Sequence, residues 1–268
     1  MSKKLLFILL LCFMISSCGK DKSDTNTENS KETKAPKAEK VEFVMKEYKK
    51  TYKDCDQNSE GCSYINFNYP EILNADIKDK VNSAIGTYLR DSIYSIEGKN
   101  FKNFDELAST FFAEYDTMKR ISSVQDLAFV LDEKAEIISE TEKDFTVSIS
   151  YYISTGGAHP NSFMSYFVFD KLTGNIITLN NFFKPGYDSL LNKLVDGAYR
   201  KEKGLSPTDD LQKKGDLFEN KITFNNNFAV TKDSLKFFYN NYEIAAYVFG
   251  PTEISIPLND LKEYVKQE

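Results

Sequence analysis

From Phe145 to Ser154 the chain alternates. Phe145, Val147, Ile149, Tyr151 and Ile153 take one set of positions, and Thr146, Ser148, Ser150, Tyr152 and Ser154 take the other. A period of two places each set on one face of an extended backbone, so this segment reads as a half-buried β-strand. Such a strand needs partners, and its neighbours supply them. Phe163 to Asp170 reads as another strand, and DKLTGNIITL turns at Thr173-Gly174-Asn175 into a short third one, which together suggest an antiparallel meander.

Other segments keep a different period. Ile77, Val81, Ile85, Leu89 and Ile93 recur every four residues, which draws one apolar stripe on a helix. Asn103 followed by Glu106 resembles a capping box and predicts a second helix, striped by Leu107, Phe111, Tyr115 and Met118. Leu190, Leu191, Leu194, Val195 and Ala198 predict a third, and Asn259 a short last helix with Leu261 and Val265. Strands are further expected at Val41 to Lys53, at Ser63 to Tyr69 with Pro70 as the stop, and at Asn225 to Val230, Leu235 to Tyr239 and Glu253 to Pro257. Strands and helices come in runs without βαβ alternation. The expected class is α+β, antiparallel sheets with packed helices in two sub-domains. These are placed at 41–125 and 126–268, with a boundary near 155 as the alternative.

The first forty residues read as address and tether. Lys3 and Lys4 precede an apolar run from Leu5 to Ile15, and Ser16-Ser17 follow, which is the layout of an export signal over 1–17. Ile15-Ser16-Ser17-Cys18 resembles the bacterial lipobox. That resemblance implies a diacylglycerol on the Cys18 sulfur; a plain signal with a chance cysteine is the alternative. Residues 18–40 lack large apolar side chains and form a flexible tether with a mean reach of roughly 25 Å. The expected location is therefore the bacterial cell envelope, on the periplasmic face or the cell surface, with the membrane held through the lipid.

Charge and cysteines narrow the partners. The net charge is −6, which argues against nucleic acid; it marks an ordinary acidic soluble protein or, as the alternative, favours a cationic partner by long-range steering. Cys12 leaves with the signal and Cys18 is the lipid site, so Cys55 and Cys62 remain as an even pair in an exported chain. They flank a turn-forming stretch and are expected to form a disulfide. A metal pair, the alternative, lacks further Cys or His ligands.

The chain has one histidine, His159, in YYISTGGAHPNSF. HExxH, GxSxG, Walker and GxGxxG patterns are absent, so no enzyme, cofactor or metal is expected. A carbohydrate-active or peptidoglycan-modifying enzyme working with two carboxylates is the alternative. Gly156 and Gly157 allow positive φ or close backbone approach, and Pro160 pushes His159 towards extended geometry. The loop Thr155 to Asn161 is read first as a rigid strand connection, then as a contact loop, and last as a catalytic one. In NNYEIAAYVFGP, Glu243 stands among Tyr242 and apolar neighbours. It is expected near the His159 loop, accepting hydrogen bonds from it, or else exposed at a turn.

INFNYP after the cysteine pair, STGGAHPN, DKLTGN with LNNFF, and NYEIAAYVFGPTEISIPLNDL together resemble a two-part extracellular module of unknown function. The module occurs in lysozyme-sensing anti-sigma factors of the RsiV type, and beside the catalytic domain of PdaC-type peptidoglycan deacetylases. The resemblance spans about Val41 to Val265. It implies an α+β body and binding at the envelope, towards a lysozyme-like protein or peptidoglycan. No sigma-binding segment and no deacetylase domain is recognised in this sequence, so neither activity is carried over.

Overall fold

The computed structural model describes residues 38–121 and 128–266. The expected signal, the Cys18 lipid site and most of the tether lie outside the described residues, as does position 125. Two strands open the body, β1 (Phe43–Thr51) and β2 (Tyr64–Ile72), followed by helices α1 (Lys78–Asp91) and α2 (Phe104–Ile121). Strands β3 (Val130–Glu140), β4 (Asp144–Ser154) and β5 (Asn161–Asp170) come next, then α3 (Leu179–Phe182), α4 (Asp188–Glu202) and α5 (Leu211–Lys214). Strands β6 (Phe228–Val230), β7 (Ser234–Tyr239) and β8 (Thr252–Pro257) close the chain.

The first five strands form one sheet in chain order, and the last three form a second. The class is α+β, as the runs of strands and helices suggest. Every pairing is antiparallel except that of β2 with β3, which are parallel and joined through α1 and α2. This pair bridges the boundary expected near residue 125. The five-stranded sheet ends only at Asp170, and the described residues pack as one compact unit.

Helices α1 and α2 cover one face of the large sheet with most of their predicted stripes, Met118 staying exposed. Val81, Ile85 and Leu89 pack against Ala135, Val147 and Ile149. Leu107, Phe111 and Tyr115 pack against Ile65, Phe67 and Leu131. Asn103 caps α2 by accepting from Glu106 N–H at 2.9 Å, and the Glu106 carboxylate reaches back to Lys102 N–H at 2.6 Å, one residue before the expected partner. A third core gathers α3, α4 and α5 on the small sheet around Leu191, Leu235 and Phe237.

Three expectations are corrected. Pro70 does not stop β2. Like Ile72, it points its backbone away from β1, and β3 pairs only as far as Asn68, so no bond is lost there. The backbone of Ile72 is met instead by the Asn82 amide at 2.8 and 3.0 Å. Next, β4 is not half-buried throughout. Thr146 and Ser148, on its polar face, are buried, because β6 of the small sheet covers them. Thr146 Oγ1 donates to Val230 C=O at 2.9 Å and accepts from Val230 N–H at 3.2 Å, which links the sheets. Finally, the last helix expected after Asn259 is only a 3-10 turn, Leu258–Asp260. Beyond it the backbone pairs with the end of α3, with Lys184 N–H on Tyr264 C=O and Lys266 N–H on Phe182 C=O.

Candidate functional site

The His159 loop and the NYEIAAYVFG stretch meet at one end of the molecule. Residues 155–160 join β4 to β5 as a tight connection, and Gly156 takes φ +83°, the left-handed region that favours glycine. His159 Nδ1 lies 3.0 Å from Pro160 C=O. Its ring stacks on Tyr247 with centroids 4.3 Å apart, and Tyr242 completes the group at 5.6 Å from Tyr247. The Tyr247 hydroxyl donates to Pro160 C=O at 3.3 Å, which ties the two segments together.

Tyr242 is held in an uncommon conformation. The turn from Asn240 is closed by Glu243 N–H on Asn240 C=O, and Tyr242 sits third in it with φ +65°. Bulky side chains seldom occupy this region. Glu243 fixes the turn. Its carboxylate accepts from Asn240 N–H at 2.9 Å and from Asn225 Nδ2 at 2.7 Å. It is exposed, and it accepts from these two asparagines rather than from the His159 loop. Tyr242 and Tyr247 fill the place next to His159 that the sequence reading gave to Glu243.

The 3-10 turn Tyr247–Phe249 then carries two further apolar side chains into solvent. Val248 is 83% exposed, Tyr242 55% and Phe249 49%. The result is a small aromatic and apolar knob around His159. The exposure of Val248 and Phe249 was not legible in the sequence, where IAAYVF reads like core.

Beside the knob runs a groove of about 460 Å³. Its floor is the outer face of β3 to β5, with Asp132, Ser150 and Tyr152, and its far wall is Phe238, Asn241 and Pro251. Asp132 Oδ1 accepts from Asn66 Nδ2 at 3.2 Å. The Asn241 Oδ1 is buried without a partner among the described residues. Asp132 is the one carboxylate among the residues lining the groove, where glycoside hydrolysis ordinarily needs two.

On the opposite face of β3, Glu133 is buried under the helices, and neither carboxylate oxygen has a partner among the described residues. Burial first, and then the negative Asp132, hold its carboxyl well above the usual range. Burial raises the hydroxyls of Tyr88 and Tyr151 too, with the Glu133 charge adding to both. No group of three or more His, Cys, Asp or Glu side chains is placed to hold a metal among the described residues. Cys55 and Cys62 are joined by a disulfide with Cα atoms 5.8 Å apart. No helix among the described residues is long and apolar enough to cross a membrane.

The fold defines an α+β module of two packed sheets. Residues 180–259, from α3 into the last turn, match the family model described as a protein of unknown function (DUF3298). The chain is 24% identical over 204 residues to the peptidoglycan-N-acetylmuramic acid deacetylase PdaC of Bacillus subtilis (strain 168). That match covers 75% of this chain and 38% of the relative, so the chain spans well under half of that protein's length. Two crystal structures share the fold. A DUF3298-family protein from Bacteroides fragilis superposes with a TM-score of 0.70 at 20% identity, over 87% of this chain and 96% of that one. A DUF3298-family protein from Pseudomonas aeruginosa PAO1 does so with 0.68 at 17%, over 85% and 96%. The module of unknown function that the sequence resembles is the one these comparisons return.

Proposed function

We propose that this protein is a cell-envelope lipoprotein, anchored through Cys18, whose folded body is a non-catalytic binding module. The observation that carries this is Tyr242. A bulky ring is kept in a costly backbone conformation, half in solvent and stacked towards His159 and Tyr247, with Val248 and Phe249 exposed beside it. Side chains that serve only the core are not displayed in this way, and aromatic anchors of this kind carry much of the energy of protein interfaces. The acidic charge of the chain favours a cationic partner, a lysozyme-like protein being the concrete case.

Binding of the full chain to lysozyme at physiological salt tests this. Tyr242→Gly is expected to weaken binding at least about 30-fold, since a central anchor contributes about 2 kcal/mol or more. No binding, or binding that only follows net charge in acidic control proteins, would sink the reading. Intact mass measurement of envelope-extracted protein tests the anchor: a diacylglycerol adduct on Cys18, lost in Cys18→Ala, is expected.

Peptidoglycan is the second reading, favoured by the groove and by the similarity to a protein named as a peptidoglycan deacetylase. Sedimentation of the chain with purified peptidoglycan sacculi tests that one.

A further inference from the structure

We infer that the groove between the outer face of β3 to β5 and the Phe238–Pro251 segment is a subsite for a 2-acetamido sugar. The inference deepens the peptidoglycan reading and rests on it. It starts from what the groove lacks. Asn241 Oδ1 is buried without a partner among the described residues, and an acceptor taken from water in this way costs free energy until something donates to it. Asp132 adds a second acceptor. Its Oδ1 is fixed by Asn66, and its other oxygen makes no hydrogen bond among the described residues. A ligand that answers Asp132, and draws the Asn241 amide round to meet it, must bring N–H or O–H donors.

The rest of the lining says what else that ligand carries. Phe238, Pro251 and Met164 give apolar wall, against which a methyl group packs. Tyr152 lies on the floor with 41% of its surface exposed, offering a ring for the C–H face of a pyranose. An acetamido sugar combines these parts: an amide N–H and hydroxyls for the acceptors, a methyl for the wall and a ring face for the tyrosine. A plain glucan lacks the amide N–H and the methyl. A de-N-acetylated sugar lacks the methyl and brings a charge. The groove volume of about 460 Å³ falls within the usual range for small-ligand sites, about 300–1,000 Å³.

Calorimetric titration of the full chain with three tetrasaccharides is the test: the β-1,4-linked N-acetylglucosamine tetramer, its fully de-N-acetylated form, and cellotetraose. The acetylated tetramer is expected to bind, and each of the other two about fourfold or more weaker, the loss expected when the methyl gives up its contact with the apolar wall. Tyr152→Ala and Asn241→Ala are each expected to cost about tenfold for the acetylated tetramer. Equal binding of cellotetraose, tighter binding of the de-N-acetylated sugar, or no binding of any of the three would overturn the inference. Sacculi that still sediment with the chain while all three tetramers fail would refute this subsite and leave the broader peptidoglycan reading standing.

Discussion

Asn240 closes the free edge of β5 on Met164. Its side-chain oxygen accepts from Met164 N–H at 2.7 Å, and its nitrogen donates to Met164 C=O at 3.1 Å. Asn227 repeats the device, taking Tyr166 N–H at 2.7 Å and giving to Met164 C=O at 2.8 Å. Nearer the end of the strand, Val168 C=O accepts from Ile177 N–H and Asp170 N–H donates to Asn175 C=O. An edge strand left open invites pairing with other chains. Here side-chain amides from around the small sheet stand where another strand would lie, and they bind that sheet to the large one.

Asn240→Ala is therefore expected to destabilise the fold by about 1–3 kcal/mol, because the part-buried Met164 N–H loses its partner, while Met164 C=O keeps Asn227 Nδ2. Urea unfolding would show a lower midpoint with an unchanged slope. A midpoint equal to that of the parent would mean that water replaces the amide at no cost and that the edge is not closed by this residue.

Glu133 gives a pH dependence of definite sign. The folded state holds its proton more tightly than the unfolded chain, since burial and then Asp132 raise the carboxyl. Tyr88 from α1 and Tyr151 from β4 lie within reach of its charge and supply no cation. Its contribution is intact below the ordinary value of 4.5 and is lost as pH rises through the raised folded value. Glu133→Gln removes the proton from this balance. The variant is expected to gain stability on the parent as pH rises from about 4 to about 8. Parallel stability curves for the two proteins over that range would refute the assignment.

The disulfide ties the turn after β1 to the start of β2. Cys55→Ser with Cys62→Ser is expected to cost about 2.5 kcal/mol, from the loop entropy returned to the unfolded chain. Thermal unfolding of the oxidised parent and the double variant would measure it. A reduced parent should unfold at the same temperature as the variant; if it matches the oxidised form, the bridge does not limit stability.

Helices α1 and α2 were legible because their stripes answer to one neighbour only, the inner face of the large sheet. Val81, Ile85, Leu107 and Phe111 need nothing else to be read correctly. β4 was legible in one face and misread in the other. Thr146 and Ser148 look like a wet face because hydroxyls are polar, but the Val230 backbone gives one of them its hydrogen bonds inside the protein. Pro70 was misread for the same kind of reason, since where a neighbouring strand stops cannot be seen from the strand itself. At the candidate site, the sequence picked out His159, Tyr242 and Glu243 as unusual, and all three fall in the same corner of the fold. It offered Glu243 either as a partner of the His159 loop or as exposed at a turn; the structure has the second, and the partners of His159 are rings. A glutamate among apolar residues suggests a buried partner, whereas the local backbone of Asn240 was already there to satisfy it.

Tyr242 separates a structural role from a functional one. Its ring is more than half exposed and its φ is +65°, a conformation that costs a side-chain-bearing residue about 1–2 kcal/mol. Glycine removes that strain, gives up the contacts with Tyr247 and His159, and loosens the unfolded chain. These effects oppose one another, so Tyr242→Gly is expected to unfold within about 1 kcal/mol of the parent. A buried aromatic cut back in the same way would cost about 3–5 kcal/mol. If the ring exists for contact, the variant keeps its stability and loses its protein partner. Should it instead lose several kcal/mol in urea unfolding while partner binding per folded molecule stays the same, the knob is a packing element. The binding face would then have to be sought elsewhere.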